Sequence, residues 1–131
     1  MDYEVWLELD EDFRPPFNGE EIKKTSCCED GELYYKTPKF PGSADIYEMV
    51  DKLMESGKYE VGPAHNYRGY ITYGYVLVPK DEVMNILKYC LKESKITNNW
   101  IYNLERAEQL YNYVAAFPDN RKYKLVNFVW G

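Results

Sequence analysis

With 131 residues there is room for one hydrophobic core, since two independent cores would each be marginal, and residues 1–131 are read as a single globular domain. Hydrophobic residues make 45% of the chain and charged residues 29%, which excludes a disordered polymer, and no run approaches the ~18 apolar residues of a membrane span. The net charge of −6 is unevenly placed: residues 1–32 carry eleven acids against Arg14, Lys23 and Lys24, a balance of −8, whereas the rest carries +2. Such a balance disfavours direct binding to nucleic acid, where Lys and Arg contacts to phosphate dominate.

Residues 3–9 alternate as a strand does, with Tyr3, Val5, Leu7 and Leu9 on one face and Glu4, Trp6 and Glu8 on the other, between Asp2 and Asp10. Pro15-Pro16 and Asn18-Gly19 then mark a long exposed loop, and a short strand around Leu33–Lys36 follows the Asp30-Gly31 turn. The first helix is capped by Ser43, has Ile46, Met49, Val50, Leu53 and Met54 at helical spacing, and stops at Gly57. A strand at 59–61 leads through a Gly62-Pro63 turn to a loop over 64–69. The stretch 70–78 is apolar on both faces, as a central strand would be, and Pro79 ends it.

A second helix opens near Asp81 with Val83, Leu87, Cys90 and Leu91 inward. The third is predicted from Asn98 or Asn99 to Phe117-Pro118, with Trp100, Ile101, Leu104, Ala107, Tyr111, Val114 and Ala115 inward. The last strand, Lys122–Trp130, is apolar on both faces, so one sheet face bearing Phe128, Trp130 and part of 70–75 is expected to be partly exposed or covered by a second subunit. These elements predict an α+β fold: a mixed or antiparallel four- to five-stranded sheet with three helices packed mainly on one face.

The usual catalytic sets are short of parts. Asp10-Glu11-Asp12 opens like a calcium loop, but Pro15 and Glu21 stand where Gly and Glu are needed. No Gly-rich phosphate loop, G-x-S-x-G or H-E-x-x-H occurs, and Cys27, Cys28, Cys90 and His65 cannot complete a zinc site, so neither cofactor nor metal is expected. An odd number of cysteines, two of them adjacent, and an N-terminus without a basic, apolar leader fit a reduced cytoplasmic chain.

Three functions are weighed. The first is a non-enzymatic binding or inhibitory module that meets a basic or nucleic-acid-binding protein through an acidic face: Asp2, Glu4, Glu8 and Asp10 steer, and Trp6 anchors. A short, acidic, Tyr- and Asn-rich chain without a catalytic set has the general character of immunity proteins and of phage-encoded antagonists of host defence. The second is a homodimer that sequesters a nucleotide-like ligand, with His65, Tyr67, Arg68 and Tyr70 in a loop at a strand end. The third is an enzyme using Cys27 or Cys28 with His65 as nucleophile and base.

Overall fold

The computed structural model describes residues 2–10, 23–26, 33–41, 44–67, 71–97 and 103–130. Six strands, β1 (Asp2–Asp10), β2 (Lys23–Ser26), β3 (Leu33–Lys36), β4 (Val61–Tyr67), β5 (Ile71–Pro79) and β6 (Lys122–Trp130), form one sheet in the order β2-β3-β1-β6-β5-β4. Every neighbouring pair is antiparallel. The α+β, antiparallel reading therefore holds, and β2 joins the strands read from sequence as an additional edge strand.

Three helices, α1 (Ala44–Glu55), α2 (Lys80–Thr97) and α3 (Leu104–Ala115), share one core with a single face of the sheet. Pleating sends Val5, Leu7 and Leu9 of β1, Val76 and Val78 of β5, and Tyr123 and Leu125 of β6 to that face. Ile46 and Val50 of α1, Val83, Ile86, Leu87 and Cys90 of α2, and Ala107, Leu110 and Val114 of α3 meet them. The 3.6-residue period thus selects the buried stripe of each helix.

Local chemistry sets the joints. Past β3 the chain stays beside β1: Thr37 N–H donates to Leu7 O (3.0 Å) and Phe40 N–H to Val5 O (2.7 Å). The Thr37 hydroxyl accepts from Leu7 N–H at 3.0 Å, so the buried Thr37 has its polar groups satisfied. Gly57, at φ 74°, follows α1 in the left-handed conformation that ends helices. Lys80, the first residue of α2, donates through Nζ to Ala115 O (2.8 Å) and Phe117 O (3.0 Å), which closes the C-terminal end of α3.

Two boundaries and one buried stripe differ from the sequence reading. The start of α3 is Leu104, with the Asn103 side chain accepting from Arg106 N–H at 3.1 Å; residues 98–102, with the expected caps Asn98 and Asn99, lie outside the described residues, as does Ser43. Leu110 is the buried α3 residue that the reading omitted, while Leu104 and Ala115 are exposed. The stretch Val61–Tyr67 is one strand with a register shift between Gly62 and His65, not a turn followed by a loop. Pro63 has no N–H to give a ladder, which an outermost strand tolerates.

Candidate functional site

The face of the sheet opposite the helices carries the residues singled out on β1. Cross-strand pairing places Trp6 beside Val126, which in turn pairs with Tyr75; Glu4 lies beside Phe128, and Glu8 lies between Lys36 and Lys124. Trp6 and Phe128 rings sit 5.8 Å apart at 47°, a tilted aromatic contact. Val126 is fully buried, and Phe128, Tyr75 and Leu77 are half-buried.

The charge on this face is not what the sequence suggests. Glu8 is only 5% exposed; its Oε1 accepts from Trp6 Nε1–H at 3.2 Å, and its Oε2 lies 3.0 Å from Lys124 Nζ. Glu4 pairs with Lys39 at 2.6 Å, and Lys36 Nζ stands 3.9 Å above the Trp6 ring. Burial, and after it the Lys39 ammonium, push Lys36 below the ordinary lysine range, against the opposing pull of Glu4 and Glu8. Lys124 Nζ also lies 4.2 Å over the Tyr75 ring.

Trp6 therefore needs correcting as a solvent-facing anchor: it is 6% exposed, held by a neighbouring ring, a carboxylate and a lysine. Glu4 and Glu8 need correcting as free acids, because lysines from beside and across the ladder neutralise them. Asp2 is exposed, and the side chain of Asp10 lies outside the described ones. Lys36, Lys39 and Lys124 were missed because only strand register reveals whom they face. For Lys124 the signal available was its alternation with Tyr123 and Leu125 in a strand; Lys39, past the end of β3, gave none.

His65 and Tyr67 belong to β4, where they pair with Tyr73 and Ile71, rather than to a loop; their side chains, and Arg68 and Tyr70 entirely, lie outside the described residues. Cys27 and Cys28 lie outside them too. Cys90 faces the core, and burial pushes its thiol up to about 12, which makes it a packing residue and a poor nucleophile. Among the described residues no group of His, Cys, Asp and Glu could hold a metal ion, and no helix is long and apolar enough to cross a membrane.

The fold and this face define a small α+β domain whose sheet keeps an aromatic, charge-paired surface away from its helices. No family model, curated protein or solved structure matches the chain.

Proposed function

We propose that the protein is a non-catalytic binding module, an inhibitor in the broad sense, that acts by protein–protein contact through the helix-free face of its sheet. The observation that carries this reading is the pair of half-buried rings, Tyr75 and Phe128, beside the buried Trp6 and Val126 on the sheet face away from the helices. Half-buried aromatics fringed by charge suit a partner's surface, because rings supply contact area while the fringe sets register. Glu4 and Glu8 are engaged by lysines, so attraction to a basic partner rests on Asp2 and the other acids of residues 1–32, nine against three basic residues once Glu4 and Glu8 are set aside.

Affinity capture from the native host, with the captured protein then purified and titrated, tests the reading. Phe128→Ser should weaken the complex at least tenfold, as loss of an interface aromatic does, and Asp2→Lys should slow association and flatten its salt dependence. A complex unchanged in both variants, each still melting cooperatively, would remove this face from consideration.

A further inference from the structure

We draw no further inference here: the strongest candidate, the buried Asn127 side chain between β6 and α1, whose Nδ2 donates to Tyr47 O at 3.4 Å while its Oδ1 has no hydrogen-bond partner, carries nothing because it lines neither the cleft at Lys122–Lys124 nor the one at Lys80–Lys88, and nothing in the structure shows what would meet it.

Discussion

Cys90 sits on the inward stripe of α2, and burial raises its thiol from an ordinary value of 9.0 to about 12. The shift has a direct consequence for stability. Unfolding exposes the thiol and lets it ionise near pH 9, while the folded chain holds its proton to about pH 12. Between those values the native state binds the extra proton, so stability is fully present below about pH 9 and is lost as pH rises. The fall should approach about 1.4 kcal/mol per pH unit, and Cys90→Ala should lack it. Urea unfolding of both proteins at several pH values from about 8 to 11 isolates the effect, since every other titrating group is shared. Parallel curves would mean that Cys90 is not shielded from water. Helical spacing made its inward placement legible in the sequence. Glu8 shows the opposite case: alternation put it on the face away from the core, yet it is buried, because Trp6 and Lys124 close over it. Pleat gives direction; only the neighbouring strands give burial.

Elements add constraints that no single residue shows. Gly62 pairs with Tyr75, and a Cβ at Gly62 would stand 1.9 Å from Tyr75 Cε1, so the tyrosine ring lies over the glycine. Lys124 covers the same ring from β6, which ties three strands together through one aromatic. Gly62→Ala should force the ring aside and break its contact with Lys124, at about 1–3 kcal/mol, as overpacking does. In a Tyr75→Ala background the same substitution should cost little, so a double-mutant cycle by thermal unfolding checks the mechanism. An equal cost in both backgrounds would place the strain in the backbone of β4. Gly62-Pro63 reads as a turn from sequence because turn and bulge use the same residues; pairing with β5 is what makes it a bulge. Helix boundaries fared similarly. The stretch 98–103 offers three asparagines as caps, and among the described residues the Asn103 side chain accepts from a backbone N–H of α3.

At the scale of the whole molecule, the two-sided apolar pattern of Lys122–Trp130 has a clear cause. The strand lies between β1 and β5 near the middle of the sheet, with Leu125 toward the helices and Val126 on the other face, both fully buried. The pattern was legible in sequence and so was the α+β class, since three amphipathic helices suffice for one face. The order of strands was not. Pairing of β1 with β6 joins opposite ends of the chain, and no local signal encodes a contact across 120 residues. That topology makes a strong demand on the last residues. Positions 126–130 pair with Asp2–Trp6 on one side and with Ile71–Tyr75 on the other, so deleting 126–131 cuts two ladders at once. It also removes Val126 from a buried site and Phe128 from the Trp6 ring. Small domains hold only about 5–15 kcal/mol in total, and the loss of two half-ladders with two large apolar side chains exceeds what a domain can spare. The truncated chain should show no cooperative thermal transition by circular dichroism, whereas Phe128→Ser alone, at a half-buried position, should still melt cooperatively at a lower temperature. A truncated chain that melts cooperatively near the native temperature would show that β6 does not hold the centre of the sheet, and the helix-free face built around Val126 would fall with it.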